Sequence, residues 1–495
     1  MDKVSVEAAG RTEPAPPRRH YRDLPGPPTV PFFGNALAID ATRAHQQFAA
    51  WAEKYGPYYR LRVGPRPVLV VSDHEVIAAV LRDRPQRFRR PVNSGRIVQE
   101  MGFEEGLFFA NDEVWKRQRR MVMAALDPGH VKAFFPMLLT VAERLRGRWE
   151  KAARTGAEID LQADLMRYTV DVVAGLAFGT DVNTLESDAD VIQRHLNRIF
   201  PALGRRVMAP FPYWHYLKMP SDRALERSVR EVRAAIETFI AAAKERLRED
   251  PARRQRPGNL LEAMIVAAED SGAAADSDVA GNVFVMLIAG EDTTANTLAW
   301  LLDFLHRHPE AMARARDEVR RVVPDLAGLT LDSLSELRYV DACIQETLRL
   351  KPVAPLLPSQ AIADTTVGDV DVPAGTYVVG LMRRDSLDAR HFPDPMRFDP
   401  ERWLGDGATA SRSPARVSMP FGAGARLCPG RYLSLVEMKI AIATTLAHFE
   451  IERVGTRDGS AARELLIFAM APVGLRMKLK VGAGRVDAPA ATAPR

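Results

Sequence analysis

The stretch Phe421-Gly-Ala-Gly-Ala-Arg-Leu-Cys428-Pro-Gly-Arg431 sets a cysteine in a glycine-punctuated turn, immediately before an amphipathic helical pattern. Gly422, Gly424 and Gly430 permit backbone shapes and close approaches that a Cβ would block, and backbone N–H groups around such a turn can point at sulfur. A helix beginning near Pro429 would add the positive end of its dipole, which lowers a cysteine pKa. Arg426 supplies a cation able to meet an acidic group of a bound cofactor. A lone cysteine ahead of a helix is ordinarily a core residue; in this setting Cys428 fits a ligand of haem iron.

A second group of chemically active residues interrupts the helical pattern Ser277 to His308, which would span on the order of 45 Å. Its middle reads Ala289-Gly290-Glu291-Asp292-Thr293-Thr294, where a glycine, two acids and two β-branched hydroxyls break an apolar run. Local propensity disfavours most of these residues in a helix interior. A solvated face or a packing glycine would account for them. The alternative is that Gly290 leaves room against a flat cofactor and that Thr293 bonds a backbone carbonyl and bends the helix.

Further pairs sit at helical spacing. Trp115 and Arg119 share one face of a pattern capped at Asn111 or Asp112, in a stretch that also reads as an ordinary basic amphipathic helix. Glu346 and Arg349 lie three apart, and Phe398-Asp-Pro-Glu-Arg402-Trp403 offers another guanidinium. An isolated Glu-x-x-Arg is most often a surface pair of little energy.

Taken in order, Trp-x-x-x-Arg, Ala-Gly-x-Asp-Thr, Glu-x-x-Arg, Pro-Glu-Arg-Trp and Phe-x-x-Gly-x-Arg-x-Cys-x-Gly resemble the motifs of the cytochrome P450 superfamily, over roughly Pro25 to Lys480. The resemblance implies a mainly α fold with small β-sheets, a long central helix over a cysteine-ligated haem, and haem b (iron protoporphyrin IX) as cofactor. It implies that Cys428 is the axial ligand, that Phe421, Gly422, Gly430, Ala289 and Gly290 surround the haem, and that Trp115, Arg119 and Arg426 hold its propionates. Thr293 would hydrogen-bond bound dioxygen, and Asp292 would relay protons towards it. Glu346, Arg349 and Arg402 would form a buried structural network behind the haem. One departure stands out: where many relatives carry a propionate-binding arginine, this chain has Ser359 or Gln360.

The activity implied is a monooxygenase, inserting one oxygen atom of O2 into a hydrophobic small molecule by hydroxylation or epoxidation. No flavin or ferredoxin segment follows the cysteine loop, so electrons would come from a separate ferredoxin or flavodoxin and an NAD(P)H reductase. By position, Val285, Met286, Val353, Ala354, Leu356, Phe468 and Ala469 would line the substrate pocket, with the loop Arg90 to Phe109 and the segment Phe200 to Tyr216. A peroxide-driven oxygenase is the nearer alternative, although such relatives generally lack the acid and alcohol. A thiolate-haem sensor or electron carrier would leave Asp292 and Thr293 without a task.

Composition is compatible with this. The 495 residues are 46% hydrophobic, enough for a large core, and 68 Lys+Arg against 63 Asp+Glu is too even a balance for a nucleic-acid footprint. Only Cys343 and Cys428 are present, which rules out a disulfide framework and agrees with a reducing, cytoplasmic setting. Cys343 is expected in the core. There is no apolar signal region or membrane span, and a monomer is expected. Residues 1–24 read as a flexible tail, 25–480 as one catalytic domain and 481–495 as a disordered tail. His306 and His308 point to different sides of a helix and make a poor metal pair. Phosphate loops, His-Glu-x-x-His, CxxC and Gly-x-Ser-x-Gly motifs are missing.

Overall fold

The apolar run either side of Gly290 becomes a helix, Asp276–Arg307, that crosses the molecule as a beam. In the computed structural model, which describes residues 18–187, 191–271, 276–323, 328–405 and 414–482, almost everything on it from Gly281 to Leu305 is buried. The partly exposed exceptions are Val285, Met286, Ala289, Gly290 and Thr293. Their spacing of one, three, one and three residues makes a single helical stripe, so one strip of an otherwise enclosed helix faces open space.

The other faces are covered by packing. The Leu161–Phe178 helix runs against the beam, and its Thr169 hydroxyl donates to Glu291 O at 3.0 Å. Tyr168 of the same helix donates to Glu437 O at 3.1 Å, joining the beam's neighbour to the Arg431–His448 helix that follows the cysteine loop. Trp149, Tyr168, Phe178, Leu298, Leu301 and Met438 belong to one continuous core. Beside it lies a five-stranded sheet in the order Tyr58–Val63, Arg66–Val71, Tyr377–Leu381, Leu356–Ala361, Phe88–Arg89. Its central pair is parallel and the other pairs are antiparallel. No helix among the described residues is long and apolar enough to cross a membrane.

Several boundaries differ from the sequence expectation for physical reasons. The helical spacing from Leu334 to Leu350 predicts one helix, but the chain divides at Leu337 into Leu331–Glu336 and Arg338–Leu350, where the Glu318 carboxylate accepts the Tyr339 and Val340 N–H groups at 2.9 Å each and starts a new helix. The tail expected over residues 1–24 is ordered from Arg18. Arg19–His20 pairs in parallel with Val370 and Asp371, and the buried Tyr21 hydroxyl donates to Leu61 O at 2.8 Å. Val481, expected to begin the other tail, closes the strand Arg476–Val481. Residues 1–17 and 483–495 lie outside the described residues.

Glu346 and Arg349 have no exposed side-chain surface and pair at 2.7 Å. The carboxylate also accepts the Asp399 N–H at 3.0 Å and the Trp403 indole N–H at 2.9 Å. Arg349 donates onward to the carbonyls of Ser386, Pro395 and Arg397. Arg402 Nε stands 3.4 Å from Glu346 in ion-pair range, without hydrogen-bond geometry, and its Nη2 donates to Asp394 O instead. One buried pair thus holds the irregular chain from Ser386 to Trp403. Replacing Glu346 by alanine leaves a buried guanidinium and an indole N–H without their acceptor, at a cost of about 3–5 kcal/mol. Denaturant unfolding should show that loss, and a variant within about 1 kcal/mol of the parent would remove Glu346 from this role.

Candidate active site

The cysteine loop is closed by backbone hydrogen bonds. Cys428 N–H donates to Phe421 O at 3.0 Å, and Gly424–Arg426 form a 3-10 turn between them. Gly422 and Gly424 adopt φ of 77° and 71°, where side chains are strained, and a Cβ on Gly424 would lie 2.7 Å from Arg82 Cα. Gly430 differs: at φ −82° it is an ordinary N-cap of the Arg431–His448 helix, so its backbone does not require glycine.

Cys428 keeps exposed surface as a residue, yet its thiol pKa is raised by burial. That outweighs the opposing pull of the Gly430 and Arg431 N–H groups and of the Arg119 and Arg431 charges. The N–H groups at the turn and helix end thus lower the thiol pKa as the sequence suggests, without overcoming the effect of burial. Deprotonation is left to a bound metal, which ionises a coordinating thiol outright. Cys343 is buried, as expected of a packing residue.

Around this loop stands a group of buried arginines. Arg426 donates to Ala110 O at 2.8 Å and to Asn111 Oδ1 at 3.2 Å, and its guanidinium lies 4.5 Å from the centre of the Trp115 ring. Trp115 therefore stacks with Arg426, while Arg119 lies within electrostatic reach of Cys428. Asn111 is the N-cap residue of Asp112–Ala125, but its side chain makes no cap bond; it clamps the Arg90 backbone and Arg426 instead. Arg90 rests over the Phe108 ring at 4.4 Å.

Burial and mutual repulsion displace these guanidinium groups downward, Arg84 to about 8, Arg426 to about 9 and, by burial, Arg90 to about 10. Since a guanidinium keeps its proton in proteins, the displacement measures an unmet need for negative charge. Arg84 Nη1, Arg90 Nε and Arg426 Nε are buried without hydrogen-bond partners. An acidic ligand such as the carboxylates of haem fits this donor set. Ser359 and Gln360 contribute no cation: Ser359 Oγ has no partner, and Gln360 accepts from Val92 N–H at 3.2 Å. Arg89 pairs with Gln360 across the sheet edge, so Arg90, whose Nε is buried, follows directly after the strand that lies against Gln360.

On the beam, Thr293 Oγ donates to Ala289 O at 2.7 Å, as a mid-helix threonine can, while the helix continues unbroken. The space a Cβ on Gly290 would fill is taken by Val173, 2.7 Å away, so this glycine serves close helix packing. Asp292 is buried beside the stripe, and burial pushes its pKa up to about 6, opposed by a long contact from Asn296. Asn296 is in turn fixed by Gln162 at 2.8 Å.

Phe468 stacks on Phe200 at 5.5 Å and meets Phe108 at 5.9 Å, bringing the three expected lining segments together. Met470 N–H donates to Val353 O at 2.7 Å, which sets the Val353–Ala354 turn beside Phe468 and Ala469. Val353 and Ala469 are nearly buried, whereas Ala354 and Leu356 are partly exposed. The later part of the Phe200 to Tyr216 segment does not join them: Phe211 and Tyr216 are on the surface. Sequence reasoning missed Asp278 and Asn282, which position the site. Asp278 accepts from Arg117 and Gln118 at 2.7 Å each, and Asn282 accepts the Leu107 N–H at 3.0 Å, tying the Phe108 loop to the beam.

A long helix with one open stripe, together with a glycine-shaped cysteine loop beside arginines that keep buried nitrogens without partners, is the donor set of a haem-thiolate protein. The cytochrome P450 family model matches residues 24–479, and the chain belongs to that family. The cyclooctat-9-en-7-ol 5-monooxygenase of Streptomyces melanosporofaciens is 29% identical over 89% of this chain and 92% of its own length. Cytochrome P450 3A15 of Cavia porcellus is 27% identical over 86% of this chain and 85% of its own, and LUTEIN DEFICIENT 5 of Arabidopsis thaliana, a chloroplastic protein, is 27% identical over 80% and 68%. The chain is a haem-dependent monooxygenase of this family.

Two outcomes follow from the geometry. Cys428→Ser should abolish the red-shifted absorption band of the reduced carbon monoxide complex, while Cys343→Ser should retain it; a band that survives in the Cys428 variant would assign the iron to another ligand. Asp292 binds its proton more tightly folded than unfolded, so its contribution to stability falls as pH rises from about 4 to about 6 and then levels off. Asp292→Asn lacks that slope, and unfolding curves across this range should show the variant gaining on the parent. A constant difference between the two would mean that Asp292 is not desolvated.

Proposed function

We propose that this protein inserts one oxygen atom of O2 into a hydrophobic small molecule, by hydroxylation or epoxidation, using electrons from a separate ferredoxin or flavodoxin and its NAD(P)H reductase. The observation that carries this reading is the position of Asp292 and Thr293 on and beside the only open stripe of the beam's buried span. Haem b, when bound, supplies thiolate-ligated iron at which dioxygen is reduced and cleaved. Cys428 would be its ligand, and Trp115, Arg119 and Arg426 would hold its propionates. Arg90 would stand in for the guanidinium missing at Ser359.

The remaining work falls to side chains of this chain. The Thr293 proton goes to Ala289 O, which leaves the hydroxyl's lone pairs to accept a hydrogen bond from a proton donor in the stripe. Asp292, displaced to about 6, can both take up and release a proton near neutral pH. Asn296 and Gln162 hold its carboxylate in one orientation. The aromatic group Phe108, Phe200 and Phe468, with Val285 and Met286, favours an apolar guest such as a fatty acid, terpenoid, steroid or macrolide-like molecule. A relative of similar length is named for oxygenating an alcohol, cyclooctat-9-en-7-ol. Exposed Lys116, Arg120 and Arg431 suit an acidic electron donor, whereas Arg117 is committed to Asp278. The reading includes a monomer located in the cytoplasm.

A library of apolar compounds, screened for ligands that shift the haem spectrum, would supply a substrate for turnover with reductase and ferredoxin. In that assay Thr293→Ala should divert reducing equivalents to peroxide, lowering product per NAD(P)H by up to roughly a hundredfold, the lower end of the usual loss for a proton-transfer group, at unchanged substrate affinity. Unaltered coupling would take Thr293 out of proton control, and equal turnover on peroxide alone would favour the peroxide-driven reading.

A further inference from the structure

Away from the beam, His74, Asp385 and His391 each offer one ligand atom, and these atoms lie within 4.8 Å of one another. His74 opens the His74–Arg82 helix, Asp385 opens a 3-10 turn, and His391 follows in the irregular chain held by Arg349. The geometry points to a binding site for one zinc-class divalent cation, with an open fourth position for water.

Asp385 Oδ2 lies 2.9 Å from His74 Nδ1 and 3.9 Å from His391 Nε2. Two ligands on a tetrahedral zinc, each at 2.0–2.1 Å, sit roughly 3.3 Å apart, and the observed pair of distances brackets that spacing. A hydrogen bond accounts for the first contact. It does not account for the second, which is too long, although the His391 ring packs edge-on against His74 at 4.7 Å. Two imidazoles and one carboxylate form a ligand set suited to zinc and neighbouring metals.

The ligands are also held in place. His74 N–H donates to Asp385 Oδ2 at 2.9 Å, Asp73 caps the helix that carries His74, and Arg349 bonds the carbonyl of Ser386 next to Asp385. Arg390 is engaged by Asp388 at 2.7 Å, while Arg384 lies 3.4 Å from Asp385 Oδ1, the oxygen that does not face the two imidazoles. Asp385 is the most enclosed of the three, while both imidazoles keep enough exposure for a cation to enter. The far end of the His74–Arg82 helix packs on Gly424 of the cysteine loop. A cation here would staple that helix to the segment anchored by Glu346 and Arg349.

The test uses the untagged, haem-loaded full chain, stripped of loosely held metal and dialysed against buffered Zn2+. Elemental analysis should find one zinc per chain, with affinity falling at least about tenfold in His74→Ala and in His391→Ala. Each variant should keep its thiolate carbon monoxide band, which reports that the fold is intact. X-ray absorption at the zinc edge should show only nitrogen and oxygen neighbours. Zinc uptake by the parent no greater than by the double variant overturns the site, even if the single variants fold poorly. Sulfur in the zinc shell overturns it equally, by moving the metal to a cysteine.

Discussion

A carboxylate and a guanidinium enclosed together must make every hydrogen bond they are capable of, because a single missing partner at such depth costs as much as a sizeable fraction of a domain's stability. Glu346 and Arg349 meet that demand by reaching outward. Their bonds to Asp399, Trp403, Ser386, Pro395 and Arg397 convert a chain without regular structure into a fixed surface. Segments without strands or helices cannot satisfy their own backbone groups. The ion pair does it for them, and the approach to the cysteine loop is built on the result.

A second constraint has the opposite character, since it is left unmet by the protein itself. Arg84, Arg90 and Arg426 crowd one region with buried nitrogen atoms that lack partners, and burial, reinforced by mutual repulsion, lowers the pKa values of Arg84 and Arg426. The Cys428 thiol shows the same incompleteness, held protonated by burial against the N–H groups and cations that face it. One ligand that brings carboxylates at its edge and a metal at its centre would meet both demands.

The parts of this arrangement that were legible in sequence are those set by local spacing. Cys428 with its glycines, Glu346 with Arg349, and the acid and alcohol at 292 and 293 each occupy a few consecutive residues, so the pattern survives without knowledge of the fold. What could not be read depends on pairing between distant segments. Arg90 comes next to Gln360 only because Phe88–Arg89 lies against Gln360 and Ala361 in the sheet. That partner strand contains Pro358, which argues against a strand when read alone. Gly290 was legible as a demand for space but not as to its occupant: Val173, on another helix, fills it. Arg19 and His20 looked like tail because a two-residue strand has no periodicity to display.

The stripe on the beam shows how these constraints combine into chemistry. Val285, Met286, Ala289, Gly290 and Thr293 are partly open only because the other faces of the helix are sealed, by Val173 and Thr169 on one side and by the core on the others. Asp292 falls one residue off that stripe, and this places it in the seal rather than in the opening. Burial then raises its pKa to about 6, a value an exposed aspartate would not have. Shifting the acid by one position along the helix would put it on the open stripe, restore its hydration and return it to an ordinary carboxylate. The adjacency of Asp292 and Thr293, one enclosed and one open, therefore lets a single helix place a hydroxyl on its open stripe and an acid of raised pKa directly behind it.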